Sequence, residues 1–126
     1  WGRQLLKPTK IYTPVVLQAL KKIQIKAMAH ITGGGFYDNI PRVIPAGLQV
    51  RIKRGSWPVP RLFKEIQRRG EIADKEMFRT LNMGVGLVAV VAGKEAEAAV
   101  KLFEKLGEKA WIIGELVRGS QEVVIE

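Results

Sequence analysis

The residues best suited to chemistry lie in one short stretch, residues 30–36, where a histidine and a threonine precede three consecutive glycines. Because glycine has no Cβ, backbone N–H groups in such a segment can approach an anion closely. Thr32 adds a hydroxyl group, and Arg42 adds positive charge a few residues later. The pattern is neither the dinucleotide-binding fingerprint nor the lysine-containing phosphate loop. Phosphate binding and a flexible turn therefore both stand as interpretations of the glycines.

His30 has two interpretations of its own. It follows the apolar residues Met28 and Ala29 and precedes Ile31, a pattern that favours a side chain pointing into the core. The alternative is an imidazole at the end of a strand, where it can transfer a proton or contact phosphate near neutral pH.

Asn82 precedes Met83 and Gly84, so it either ends a helix or presents an amide to a ligand. With one histidine and no cysteine, the sequence excludes disulfides, thiolate metal sites and a Cys-His pair. The carboxylates mostly follow helical surface patterns, and only Asp38 lies near the glycines. We identify no metal-ligating residues.

Composition and charge are those of one globular domain rather than a disordered chain, with 47% hydrophobic and 26% charged residues. The net charge of +9 suits polyanions such as nucleic acid, or small phosphorylated ligands. The basic residues are dispersed, however, and form no block of five or six like charges. The densest groups are Lys21-Lys22, Arg51-Lys53-Arg54 and Arg68-Arg69.

Neither end of the chain nor any internal segment indicates a membrane or secreted protein. The longest apolar run, 85–92, is shorter than the roughly 20 residues that cross a bilayer. No signal peptide follows Trp1. Because Trp1 is not a methionine, we expect the chain to begin inside a longer reading frame.

Hydrophobic periodicity predicts the elements that must position these residues. Helices are predicted at 14–23 (with Thr13 as N-cap), 36–40, 59–70, 74–81 and 94–106, and strands at 25–31, 48–53, 85–91, 110–117 and 123–125. The last third, strand then helix then strand, predicts a right-handed βαβ unit. A mixed β-sheet flanked by helices, in the α+β or layered α/β class, buries all of these apolar stripes.

Several sequence blocks, in one order along the chain, resemble the second domain of the phosphoribosylformylglycinamidine cyclo-ligase family, also called phosphoribosylaminoimidazole synthetases. They are LKPTKIY (6–12), MAHITGGGF (28–36), NIPRV (39–43), SWPVP (56–60), MFRTLNMGVG (77–86) and WIIGE (111–115). The domain architecture is shared with related ATP-using enzymes, including selenophosphate synthetase. Residues 39–42 and 56–60 look like the cyclo-ligase rather than those relatives.

The resemblance implies the fold of that family's C-terminal domain and a function. ATP would phosphorylate the formyl amide oxygen of formylglycinamidine ribonucleotide, and an amidine nitrogen would then displace phosphate to close the imidazole ring. ATP and Mg²⁺ would be bound mainly by an N-terminal domain outside this chain. Residues 1–126 would be a single domain, the C-terminal half of a cytoplasmic, homodimeric two-domain enzyme.

The resemblance also assigns site residues to one wall of an interdomain cleft. The substrate phosphate or ATP phosphates would contact the segment Thr32, Gly33, Gly34 and Gly35, with His30 in support as the catalytic candidate. Weaker candidates for polar contacts are Asn39, Arg42 and Asn82.

Two alternatives to the cyclo-ligase follow from the same residues. One is a small basic nucleic-acid-binding domain, which the net charge alone supports, without aromatic and basic residues interleaved on any strand. The other is a domain of a related ATP-using enzyme such as selenophosphate synthetase. We expect the isolated chain to be inactive, with no nucleic acid or membrane among its partners.

Overall fold

The structure, a computed structural model, describes residues 1–126. Its helices are α1 Gly2–Leu5, α2 Thr13–Leu20, α3 Gly35–Asn39, α4 Arg61–Gly70, α5 Asp74–Thr80 and α6 Ala96–Lys105. Its strands are β1 Ala27–His30, β2 Leu48–Ile52, β3 Leu87–Val90, β4 Gly114–Arg118 and β5 Val123–Ile125. Two short 3₁₀ turns lie at Pro41–Val43 and Gly93–Glu95. None of the helices combines the length and apolar character needed to span a bilayer.

The strands form two sheets rather than one. In the first, β1 and β3 pair antiparallel. In the second, β2 is central, antiparallel to β4 and parallel to β5. The predicted α+β class with a mixed sheet and helices is confirmed. The predicted βαβ unit is wrong, because α6 connects strands of two different sheets. A strand–helix–strand pattern is the same whether its strands join one sheet or two.

Several predicted boundaries also shift. Tyr12, not Thr13, is the residue that precedes α2, and no side chain caps that helix end. The strand predicted from residue 110 begins only at Gly114. A further short helix, α1, occurs before residue 14, where no element is predicted, and all of its residues are exposed.

Three aromatic side chains form the centre of the core. The ring of Phe36 lies 5.7 Å from that of Trp57 and 5.5 Å from that of Phe78, and the last two rings meet edge-on at 6.2 Å. All three are buried. Phe36 comes directly after the three glycines, Trp57 follows β2, and Phe78 lies on α5. The cluster therefore joins three segments that are distant in sequence.

Replacing Phe36 with alanine should remove the centre of this cluster and destabilise the fold by about 3–5 kcal/mol, because the cavity only partly collapses. The free energy of unfolding in urea measures the effect. Leu6→Ala is the control, since Leu6 is 84% exposed, and it should change that free energy by less than about 0.5 kcal/mol. Equal losses for the two variants would contradict the described core.

Candidate functional site

The glycine segment and the Asn82 turn lie at the same end of the two-stranded sheet. β1 runs antiparallel to β3 with His30 opposite Leu87. Beyond that pair, the Ile31 N–H donates to the Gly86 carbonyl at 2.9 Å. The segment that leaves β1 and the segment that enters β3 are therefore neighbours, although about fifty residues separate them.

The glycine segment is a tight turn in which the three glycines have different environments. The Gly35 N–H donates to the Thr32 carbonyl at 2.9 Å, while the N–H groups of Gly33 and Gly34 donate to no group of the chain. Gly34 and Gly35 have φ values of 94° and 59°, in the left-handed region that glycine tolerates best. A Cβ on Gly35 would lie 2.0 Å from the Phe78 carbonyl oxygen, whereas one on Gly33 would meet nothing within 4 Å. Gly33 is thus the open position of the loop.

Asn39 is the single polar residue among the buried ones, and its carboxamide holds this turn. Its Nδ2 donates to the carbonyls of Thr32, Gly33 and Gly35 at 3.2, 3.2 and 2.8 Å. Its Oδ1 accepts from the Thr32 hydroxyl at 3.3 Å and from Arg42 Nη1 at 3.5 Å. Every hydrogen-bonding atom of the side chain is therefore engaged within the protein, which leaves none to contact a ligand.

The Asn82 segment forms a turn with positive φ at both central residues, 52° for Met83 and 92° for Gly84. The Val85 N–H donates to the Asn82 carbonyl at 2.9 Å, which closes the turn in the manner of type I′. Asn82 Oδ1 accepts from the Gly84 N–H at 2.9 Å. Its Nδ2 donates to no other group of the chain, so the amide keeps a donor for a ligand.

Trp57 and Pro60 hold this turn from outside. Trp57 Nε1 donates to the Met83 carbonyl at 3.0 Å in a buried hydrogen bond. Gly84 packs so closely on Pro60 that a Cβ there would lie 2.4 Å from the proline Cδ. The SWPVP block at 56–60 is thus a packed corner that supports the Asn82 turn.

His30 is exposed, so the interpretation of a core histidine is wrong. Strand alternation places Ala29 inward and His30 outward on β1. The His30 ring lies 5.9 Å from that of Tyr12, which it meets edge-on. The Tyr12 hydroxyl packs against Gly86, and burial raises the pKa of that hydroxyl. Tyr12 belongs to the block at 6–12 but had no assigned role, because nothing local to that block indicates its contact with Gly86, the residue before β3.

Acidic side chains pair with two of the three densest basic groups. Arg51 pairs with Glu126, and Arg54 with Asp74. Arg68 and Arg69 both pair with Glu65, at 2.6 Å each. Arg42, by contrast, is exposed and belongs to no ion pair. Arg42, the cation that the sequence pattern singled out beside the glycines, is therefore free of any carboxylate partner.

Two shallow depressions lie elsewhere on the surface. One, of about 420 Å³, lies between α6 and residues 110–112, and the other, of about 540 Å³, lies along β2 and β4. Neither contains a residue of the glycine turn or of the Asn82 turn.

Comparison with known proteins identifies the family. The family described as AIR synthase related protein, C-terminal domain, matches residues 2–126. The chain belongs to this family.

Three curated relatives that match nearly the whole chain are phosphoribosylformylglycinamidine cyclo-ligases. The chain is 48% identical over 124 residues to the phosphoribosylformylglycinamidine cyclo-ligase of Alkaliphilus metalliredigens, covering 98% of the chain and 36% of that protein. It is 51% identical over 124 residues to the cyclo-ligase of Caldanaerobacter subterraneus subsp. tengcongensis, covering 98% and 37%. With the cyclo-ligase of Bacillus cytotoxicus the identity is 52% over 119 residues, covering 94% and 34%. The chain thus spans about a third of the length of these relatives.

A solved structure shares the fold. The crystal structure of E. coli HypE, a hydrogenase maturation protein, superposes with a TM-score of 0.69 over 92% of this chain and 36% of that one. Its sequence identity is 23%. At that identity the likeness concerns the fold alone, and it agrees with the α+β architecture described above.

The open position of Gly33 predicts a difference between two glycine substitutions. Gly33→Ala should leave the free energy of unfolding within about 0.5 kcal/mol of the original. Gly34→Ala should lower it by about 1–3 kcal/mol, because alanine at φ 94° is strained. The new Cβ would also lie 2.6 Å from Asp38 Oδ2. Urea unfolding of both variants measures the difference, and equal stability would contradict the described turn.

The pairing of Glu65 can be tested by titration. Hydrogen bonds from Arg68 and then Arg69 lower the pKa of the Glu65 carboxyl to about 2, against an ordinary value of about 4.3. Because the pKa is lowered in the folded state, the pairing stabilises the fold fully above about pH 4.3. That stabilisation is lost as the pH falls towards about 2 and the carboxylate is protonated. Carbon-detected NMR of Arg68→Gln should show a raised Glu65 pKa. Lys101→Gln, which removes a charge from α6, should leave it unchanged. An ordinary Glu65 pKa in the original protein would show that these pairs do not form in solution.

Proposed function

We propose that this chain is part of an ATP-dependent cyclo-ligase that closes the ring of formylglycinamidine ribonucleotide to give aminoimidazole ribonucleotide in purine biosynthesis. Relatives of that name match nearly the whole chain at about half identity. The observation that carries the proposal is the meeting of the glycine turn and the Asn82 turn at one end of the β1–β3 sheet. In this proposal, residues 1–126 are the C-terminal half of the enzyme and supply one wall of its site.

The glycine turn is the part of this wall suited to phosphate. Gly33 and Gly34 each offer an unpaired N–H, and no Cβ on Gly33 obstructs the approach of an oxyanion. Arg42 is an unpaired cation on the following 3₁₀ turn. The Thr32 hydroxyl proton is directed to Asn39 in a long bond of 3.3 Å, which a phosphate oxygen can replace. These groups would hold the substrate phosphate or the phosphates of ATP.

His30, at the end of β1, and Asn82, in the neighbouring turn before β3, would act on the reacting end of the ligand. An exposed imidazole at the end of β1 can serve as a general acid or base for a bound ligand. The unpaired Nδ2 of Asn82 can donate to a carbonyl or phosphoryl oxygen. Such groups catalyse by orienting the reactants and neutralising developing charge.

ATP and Mg²⁺ would be bound mainly outside these 126 residues. Mg²⁺ prefers carboxylate and phosphate oxygens, and the chain contains no group of three or more His, Asp or Glu side chains that could hold a metal. These residues therefore offer no complete set of protein ligands for magnesium. The proposal further places the complete enzyme in the cytoplasm as a homodimer.

The test uses the complete product of the gene that encodes this chain. ADP release is followed with formylglycinamidine ribonucleotide present and absent. His30→Ala should lower kcat by about 10²–10⁴-fold if His30 transfers a proton. Gly33→Ala should mainly raise KM, since it obstructs the phosphate without straining the fold. Arg118→Ala, an exposed cation on β4, is the control and should change neither constant. A folded enzyme that releases no ADP in response to this substrate would exclude the cyclo-ligase and favour another ATP-using relative.

A further inference from the structure

We infer that Asn39 is a positioning residue that turns the N–H groups of Gly33 and Gly34 outward, towards the ligand of the glycine turn. The inference rests on the proposed phosphate role of this turn and assigns Asn39 a different role from direct contact. Asn39 is only 6% exposed, and its side chain lies beneath the turn with its donors and acceptor engaged. The Asn39 side chain therefore cannot contact a ligand itself, but it determines which backbone N–H groups face the ligand.

The argument depends on the geometry of the peptide unit. In a trans peptide the C=O and the following N–H point in opposite directions, and the chain has no cis peptide bonds. The Thr32 carbonyl shares its peptide unit with the Gly33 N–H, and the Gly33 carbonyl shares its unit with the Gly34 N–H. Both carbonyls accept from Asn39 Nδ2 at 3.2 Å. Both N–H groups must therefore face away from Asn39.

Those two N–H groups are also the two in the glycine segment without a partner. The side to which they point is open, because Gly33 is exposed and a Cβ on it would meet nothing within 4 Å. An unpaired N–H at an open surface suits an oxyanion such as a phosphate monoester. The Gly35 N–H is excluded from this set, since it donates to the Thr32 carbonyl. Gly35 is instead a packing residue against Phe78.

The orientation of the Asn39 amide is determined by its neighbours. Nδ2 faces three carbonyl oxygens, and Oδ1 faces two donors, the Thr32 hydroxyl and Arg42. A flipped amide would place an oxygen against three oxygens and a donor against two donors. One arrangement therefore satisfies every group, and it is the one that turns both N–H groups outward.

The test compares Asn39→Asp with Gln67→Glu by NMR of the ¹⁵N-labelled chain, using inorganic phosphate as the probe. Both changes replace a carboxamide with a carboxylate of the same shape. The Gln67 amide also donates to a backbone carbonyl, that of Ile72, but between α4 and α5. Asn39→Asp should shift the Gly33 and Gly34 amide resonances before phosphate is added, and should weaken phosphate binding at least tenfold. Gln67→Glu should do neither.

Two readouts separate this inference from the proposed function. If Asn39→Asp leaves the Gly33 and Gly34 amides as they were, the inference is wrong whatever phosphate does. If those amides change but phosphate does not bind the original chain, the positioning role stands and the phosphate role of the turn fails. Should Asn39→Asp not fold, Thr32→Val removes one of the two donors to Oδ1. It should move the same two amides and weaken phosphate binding about threefold, and unchanged amides there would overturn the inference.

Discussion

Contact among the rings of Phe36, Trp57 and Phe78 is the constraint on which the site depends. Large aromatic side chains contribute much of the buried apolar area in a core of this size. Each of these three is also attached to a segment that reaches the site. Phe36 follows the glycines, Trp57 donates to the Met83 carbonyl, and the Phe78 carbonyl packs against Gly35. Burial of the rings therefore brings the glycine turn and the Asn82 turn to one place, and the hydrophobic effect positions polar groups that have little attraction for one another.

Both turns adopt backbone conformations that cost free energy, and the surrounding structure offsets that cost. A non-glycine residue in the left-handed region, such as Met83 with φ 52°, costs of the order of 1 kcal/mol. The buried hydrogen bond from Trp57 and the packing of Pro60 on Gly84 hold it there. Asn39 likewise holds the glycine turn in place, through its hydrogen bonds to the carbonyls of that turn. Turns that are held in this way present their donors without further ordering when a ligand arrives, which lowers the entropic cost of binding.

Much of the fold could be predicted from periodicity, but the relation between elements could not. The alternation of Leu48, Val50 and Ile52 and the apolar stripe of α6 predict those elements because a local repeat reports burial directly. Which sheet a strand joins depends on pairings such as Ala27 with Val90, which no local pattern records. The outward direction of His30 and the buried hydrogen bonds of Asn39 could not be predicted for the same reason. The glycines allowed either an anion site or a flexible turn, whereas the hydrogen bonds from Asn39 that hold the turn become visible only once the chain is folded.

The openness of the glycine turn supports its role as one wall of a larger site. Hydrogen bonds and charges at an open surface are screened by water and salt, so the proposed phosphate site, with two N–H groups and one arginine, would be weak on its own. The same groups would contribute more to the binding free energy of phosphate once a second protein surface excludes water from them. The relatives of this chain are about three times its length, which is enough to supply that surface. The unpaired donors of this turn therefore fit the proposed half-site, in which catalysis requires both walls to be present.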